Sequence, residues 1–239
     1  MEKNNKKIKI IYGLIVGLLC FGLQSLTYYI ANTIIVSFDM KTYVPKIDSI
    51  DNFIPLLTIF VLPYVWSYVY WVLGPMTASM VNFKHFLNIV LACLITNILG
   101  TIIFLIYPTY IDRVAEGVYG RPQNDFFDWI LSIVYDWDGK TIGRCLFPSM
   151  HCVNTTICFF ATFRKKEISL WYRIYQFIMA ILIFLSTIFI KQHYFIDMIF
   201  GILVAIVVWV IVNKFNLGYR LLNRPVEYFK NKFYKEKEE

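Results

Sequence analysis

Long uncharged stretches alternate with short polar connections along this chain. Because about 20 apolar residues are enough to cross a bilayer, the pattern predicts six membrane spans. They lie at residues 10–36, 53–73, 86–107, 147–163, 171–190 and 193–212. We therefore expect an all-α fold: one six-helix membrane-embedded domain over residues 1–239, with a short N-terminus at 1–9 and a basic tail at 213–239.

The longest segment without a span, residues 108–146, has one periodic part. Its apolar side chains recur at helical spacing, with acidic or polar residues between them. The apolar set is Phe126, Trp129, Ile130, Ile133, Val134 and Trp137. This pattern predicts an amphipathic helix with Asn124 or Asp125 as its cap. We expect the helix to lie in the membrane interface, apolar side down; a lid packed on the bundle is the alternative.

Composition and charge agree with a membrane protein and exclude a nucleic-acid binder. Hydrophobic residues make up 58% of the chain, against about 45–50% in a soluble domain. The net charge of +7 is sorted by loop: 16 of the 23 Lys and Arg residues lie in the two termini and the links 74–85 and 164–173. Because cytoplasmic loops are enriched in Lys and Arg, we expect a cell-membrane protein with both termini cytoplasmic. The basic tail would then lie against the anionic lipids of the inner leaflet.

This topology brings the starts of the fourth and sixth spans, which carry His151 and His193, to the outer side. Ser149 and His151 lie where the first N–H groups and the dipole of a helix favour an anion such as phosphate. His193 and Asp197 have i, i+4 spacing and would share one helix face. A carboxylate there can hold one ring nitrogen as N–H and leave the other free as a nucleophile. Because Asp197 lies inside an apolar span, a functional role is expected.

Small or weakly polar side chains continue the helical stripe beyond these motif residues. They are Gly201 and Ala205 beyond Asp197, and Thr155, Cys158 and Thr162 beyond His151. Since small side chains let membrane helices approach closely, the fourth and sixth spans are predicted to pack along these stripes, with the two histidines adjacent.

At these residues the chain resembles a known family. Pro148-Ser149-x-His151, followed by His193-x-x-x-Asp197, resembles the type 2 phosphatidic acid phosphatase superfamily, and most of all its branch related to inositol phosphorylceramide synthase. The resemblance covers about residues 50–212. It implies a phosphatase or head-group phosphotransferase that acts on a phosphorylated lipid at the outer face without metal or cofactor. By the same resemblance, His193 would form a phosphohistidine, Asp197 would orient it, and His151 would act as general acid and base.

The family pattern is incomplete in this chain, mainly in its phosphate-binding cations, although Arg121-Pro122 matches the end of its first motif. Met150 replaces a glycine, Val114 a lysine and Thr187 an arginine. The candidates that could bind the phosphate instead are Lys191, Arg113, Arg121 and Arg144. We expect Lys191 to take over part of the role, because it lies one turn beyond Thr187 if the fifth helix extends that far. For the three arginines, solvated loop charge is the alternative.

Two classes of function are open at this point. The first is an enzyme that transfers a phosphoryl group to water or to an alcohol. The second is a catalytically silent scaffold or transporter component with the same fold, which the missing lysine and arginine would favour. The complete set of His151, His193 and Asp197 favours the enzyme.

Overall fold

The computed structural model describes residues 2–235; Met1 and residues 236–239, the ends of the two predicted cytoplasmic termini, lie outside this range. The chain is 72% helical. Within the described range there are nine α-helices, α1 to α9, at Glu2–Ser37, Asp48–Asp51, Val61–Val81, Phe83–Ile106, Phe126–Trp137, Met150–Thr162, Leu170–Phe189, Phe195–Phe215 and Leu217–Lys235.

Five of the described helices are long and apolar enough to cross a membrane: α1, α3 with the 3-10 turn that precedes it, α4, α7 and α8. The chain is thus a multi-pass membrane protein, as predicted. Helix α6 stands where the fourth span was expected but has only 13 residues, fewer than the 20 or so that a span needs. The count of six spans therefore stays a prediction.

Helix α6 occupies the centre of the bundle and contacts α3, α4, α7 and α8. Ten of its 13 residues are buried, several of them threonines or cysteines. Two of the threonine hydroxyls donate within the helix, that of Thr156 to the Cys152 carbonyl at 2.7 Å and that of Thr162 to the Phe159 carbonyl at 3.1 Å. Because α6 is enclosed by protein, the backbone at its N-terminus is not exposed to lipid, and a polar site can be built there.

The long loop between α4 and α6 contains a short antiparallel ladder that the all-α expectation did not include. Strand β1, Tyr110–Asp112, pairs with β2, Ile142–Arg144. The Thr109 hydroxyl then accepts 3.0 Å hydrogen bonds from the backbone N–H groups of both Leu146 and Phe147. The ladder therefore links the end of α4 to the start of α6.

The amphipathic helix predicted in this loop is present as α5 with the expected bounds. Asp125 caps it, accepting from two backbone N–H groups of the first turn at 2.8 and 2.9 Å. Its buried side chains, Leu131 and Tyr135, pack with Val61 and Ile190 of the bundle. Helix α5 thus packs on the bundle, but these two buried residues lie outside the predicted apolar stripe, of which Phe126, Trp129 and Trp137 are exposed. Its placement in a membrane interface stays a prediction.

The basic tail forms a helix that the sequence pattern did not predict. Helix α9 packs across α4: a Cβ added at Gly218 would lie only 2.2 Å from the Leu87 carbonyl oxygen. The Tyr219 N–H donates to the Asn88 side chain at 3.4 Å. The start of the tail is therefore docked on the bundle.

Candidate active site

A cavity of about 390 Å³ lies between α1, α3, α5 and the first turn of α6. His151 and His193 are both on its wall, together with Arg144, Asp138 and Gln192. Aromatic and aliphatic side chains of α1, α3 and α5 form most of the remaining surface. The two histidines that the topology placed on one side of the membrane thus share one cavity.

His193 lies in the turn before α8 rather than on the helix, where the sequence analysis placed it. The turn is held at the end of α7, because the N–H groups of Gln192 and His193 both donate to the Thr187 carbonyl, at 3.1 and 3.0 Å. Even so, His193 Nδ1 lies 3.6 Å from Asp197 Oδ2. The two groups are therefore within ion-pair distance, although no hydrogen bond joins them, and a turn rather than a helix brings them together.

Asp197 is completely buried and connects the two elements that carry the histidines. Its Oδ2 accepts from the Tyr194 N–H at 2.9 Å and so caps α8. Its backbone carbonyl accepts from the Ser149 N–H at 3.0 Å, at the start of α6. Ser149 is itself buried as the N-cap of α6 and is not part of the cavity wall. Asp197 thus contacts the start of α8 through its side chain and the start of α6 through its backbone.

His151 is the second residue of α6 and is held by aromatic rings. It stacks on Tyr64, with ring centroids 4.2 Å apart and an angle of 21° between the planes, and Trp71 lies edge-on at 4.9 Å. The His193 ring is 5.9 Å away. His151 Nε2 has no hydrogen-bond partner among the described residues. The ring is therefore positioned by packing, and its Nε2 is left without a partner within the described range.

Helices α6 and α8 approach closely at Gly201, as the stripe beyond Asp197 predicted. A Cβ there would lie 2.6 Å from the Ser149 carbonyl oxygen. The stripe beyond His151 was assigned to the wrong neighbour, because it faces α3. The Trp71 indole donates to Thr155 at 3.1 Å, and Cys158 packs on Gly74 of α3. Since α6 is surrounded on all sides, a small-residue stripe on it does not identify the partner helix.

We expect Gly201→Ala to lower the thermal stability of the protein. The added methyl group would meet a backbone carbonyl that no rotamer change can move, and overpacking typically costs about 1–3 kcal/mol. Thermal unfolding in detergent measures the effect. Gly22→Ala is the matched control, because a Cβ at that helical glycine meets nothing within 4 Å. An unchanged Tm in Gly201→Ala would contradict the close contact.

Arg113 lies beside the site but is fully buried and already paired. Its guanidinium donates to the Asp138 carboxylate, to the Lys140 carbonyl at 2.7 Å and to Gln192 Oε1 at 2.7 Å. The Tyr135 ring lies 4.8 Å from the centre of the guanidinium. Arg113 thus joins the loop between α4 and α6 to the turn that carries His193.

Arg144, at the end of β2, is the candidate cation that reaches the cavity. It is half-buried on the cavity wall. In the part of the chain that the structure describes, no carboxylate forms an ion pair with it. An uncompensated cation beside two histidines is suited to bind an anionic group.

Lys191 and Arg121 are not brought to the cavity. Lys191 Nζ donates to the Asp51 carbonyl at 3.0 Å and is not part of the cavity wall. Burial lowers the pKa of its ammonium group below the usual value. Arg121 is exposed and borders a separate pocket beneath α5. The structure therefore gives the phosphate-binding expectation more support at Arg144 than at these two residues.

Asp138 and Gln192 are polar residues of the cavity wall to which the sequence motifs gave no role. Asp138 follows α5 directly and accepts from Arg113 and from the Tyr28 hydroxyl. Gln192 directly precedes His193 in the motif Gln-His-Tyr-Phe-Ile-Asp, and this position was the signal for it. Among the described residues, no group of three or more His, Cys, Asp or Glu side chains is placed to hold a metal ion.

Comparison with known families gives one match. The chain matches the model of the PAP2 superfamily over residues 50–211. The match confirms the superfamily that the histidine motifs predicted, while the inositol phosphorylceramide synthase branch stays a prediction. No curated protein and no solved structure matches the chain.

Proposed function

Since the chain belongs to the PAP2 superfamily, we propose that it is a membrane phosphatase or phosphotransferase acting on a phosphorylated lipid through a phosphohistidine. The observation that carries the proposal is the shared cavity, with His151 and His193 on its wall and Asp197 buried behind His193. A scaffold or transporter component would have no need of this arrangement. The complete set of three residues therefore weighs against a catalytically silent protein.

In the first step His193 is the nucleophile. Its Nδ1 faces the carboxylate of Asp197, so the lone pair of Nε2, on the other side of the ring, forms the new N–P bond. The P–O ester bond breaks, and its electron pair stays on the leaving oxygen. His151, entering the step protonated, gives its proton to that oxygen. The alcohol part of the lipid is released, and Asp197 stabilises the positive phosphohistidine.

The second step restores the enzyme. An oxygen of water or of an acceptor alcohol attacks phosphorus while neutral His151 takes its proton. The N–P bond breaks, and its electron pair returns to His193 Nε2. With water the sum is phosphate ester plus water giving alcohol plus inorganic phosphate. With an alcohol, as in the inositol phosphorylceramide synthase branch, the phosphoryl group moves to a new hydroxyl.

The cavity is suited to a lipid phosphate. Its wall is mostly apolar and is formed by α1, α3 and α5, which could contact the chains of a lipid. Its polar part contains the two histidines and Arg144. We propose that Arg144 binds the phosphoryl oxygens, since charge-assisted hydrogen bonds are the strong ones.

Phosphate release from a panel of lipid phosphates by the purified protein tests this function. We expect turnover of at least one lipid and, with an activated substrate, a labelled phosphoenzyme at early times that is stable in alkali and labile in acid, as a P–N bond requires. Adding an alcohol acceptor separates the two activities, because a phosphotransferase forms a new phosphodiester or phosphomonoester in place of free phosphate. Absence of both phosphate release and transfer across the panel would favour the scaffold alternative.

We also propose that the site faces the outer side of the cell membrane with both termini in the cytoplasm. The split of Lys and Arg residues between loops supports this orientation. A cysteine placed at exposed Lys140 should react with an impermeant maleimide added to intact cells. One placed at exposed Lys166 should react only after permeabilisation. The reverse pattern would overturn the orientation.

A further inference from the structure

Gln192 has an unsatisfied amide in the wall of the cavity. Its side chain is 1% exposed and lines the cavity beside His193. The Oε1 atom accepts from Arg113 at 2.7 Å, but Nε2 has no hydrogen-bond partner among the described residues. Because a buried donor without a partner is costly and rare in native proteins, this one calls for a ligand.

The orientation of the amide is determined by its neighbour. A guanidinium can only donate, so the Gln192 oxygen must face Arg113 and the NH₂ group must face away from it. Arg113 is itself immobilised, since it is fully buried and bonded to the Asp138 carboxylate and to the Lys140 carbonyl. The Gln192 donor is therefore held in one direction before any substrate binds.

The donor and the nucleophile are presented by one turn. The backbone N–H groups of Gln192 and His193 share the Thr187 carbonyl as acceptor. From this geometry we propose that Gln192 is a further catalytic residue, whose Nε2 donates a hydrogen bond to an oxygen of the phosphoryl group as it transfers to His193. Arg113 is the positioning residue that aims the amide. The inference rests on the proposed function, because it needs a phosphoryl group in this cavity.

Such a donor would contribute most as the reaction proceeds. Negative charge is spread over the oxygens of the phosphoryl group in the transition state, and a fixed dipole beside them needs no reorganisation. Loss of the donor should therefore lower kcat more than it changes KM. If Gln192 had only a structural role, its replacement would lower the stability of the protein without lowering kcat more than it changes KM.

Gln192→Met, which keeps the length of the side chain but removes the donor, is the first test. We expect kcat for lipid-phosphate hydrolysis to fall at least about tenfold, with KM within about threefold of the wild-type value. Inhibition by orthovanadate, a mimic of the transferring group, should weaken by a similar factor. Gln176→Met is the matched control, because Gln176 is equally buried but bonds Tyr172 on α7, away from the cavity; its kcat should match wild type.

Gln192→Glu is a second variant, which tests the donor even if Gln192→Met fails to fold. A carboxylate can still accept from Arg113 but has no proton to donate, so the same loss of kcat and vanadate affinity is expected with Tm maintained. Wild-type kcat and vanadate inhibition in both folded variants would overturn the inference. If His193→Ala is then inactive in the same assay, the proposed function still stands, whereas an inactive wild-type protein would overturn both.

A double-mutant cycle separates positioning from direct contact. Arg113→Lys keeps the charge but loses the fixed fork that orients the amide. If Arg113 acts through Gln192, this change should lower kcat in the wild-type background and by less than about threefold further in Gln192→Met. Fully additive losses would show that Arg113 contacts the phosphoryl group itself, and would overturn the positioning role.

Discussion

Replacing His193 with alanine is expected to abolish turnover in a protein that still folds. His193 is the histidine of the cavity with a carboxylate at its Nδ1, and His151 lies 5.9 Å away between aromatic rings without such a partner. No second nucleophile is therefore placed to replace it. The expected loss is at least about 10⁴-fold in kcat, as for other nucleophile knockouts. Phosphate release and trapping of labelled phosphoenzyme by an alkaline denaturing quench measure the two steps separately.

Two further variants make this test specific. His85→Ala removes the third histidine, which lies at the other end of the bundle with its Nε2 3.0 Å from the Ala161 carbonyl, and it should retain turnover. His151→Ala should be inactive with lipids but accumulate phosphoenzyme from a substrate whose leaving group needs no proton. Near-normal activity in His193→Ala would refute the mechanism.

The second large effect is expected at Arg144. Arg144→Ala should lower kcat/KM roughly 10- to 150-fold, since a hydrogen bond to a charged group is typically worth about 1.5–3 kcal/mol. Lys191→Ala should remain within about threefold of wild type, because its ammonium group is engaged by the Asp51 carbonyl outside the cavity. Steady-state kinetics of both variants on the same lipid phosphate, with thermal unfolding as a folding check, measure the difference.

The two variants decide between two sources of the phosphate-binding charge. A large loss in Lys191→Ala with little change in Arg144→Ala would place the cation at the turn between α7 and α8, four residues beyond Thr187, where the family pattern has its arginine. Arg144→Lys is the graded control. It keeps the charge but loses the bidentate geometry, so its kcat/KM should fall between those of wild type and Arg144→Ala.

Helix limits could be predicted where the sequence marks them with a cap. Helix α5 was predicted to the residue, because Asp125 and the apolar stripe both mark its start. The predicted link at 74–85 was wrong in extent: α3 continues to Val81 and α4 begins at Phe83. Hydropathy does not show a one-residue break, and the only signal was Asn82, whose side chain accepts from the His85 N–H at 2.8 Å.

The pairing of His193 with Asp197 could be predicted from spacing alone, since a turn before a helix preserves the i, i+4 contact. The placement of Lys191 could not, because it depended on α7 continuing past Phe189. Lys191 instead has a φ of +52°, and this left-handed residue ends the helix and directs the chain into the turn. Arg144 depended on a three-residue strand pair, which is too short to leave a periodic signal.

The shortness of α6 has a consequence for where the chemistry takes place. Thirteen helical residues rise roughly 20 Å, whereas the hydrocarbon layer is about 30 Å thick. With the basic end of α6 at the inner boundary, His151 would lie about 10 Å beneath the outer boundary. A lipid would then have to lower its phosphate below the headgroup plane to react, and bilayer thickness would set how far. The rate of the reaction would therefore depend on the thickness of the surrounding bilayer.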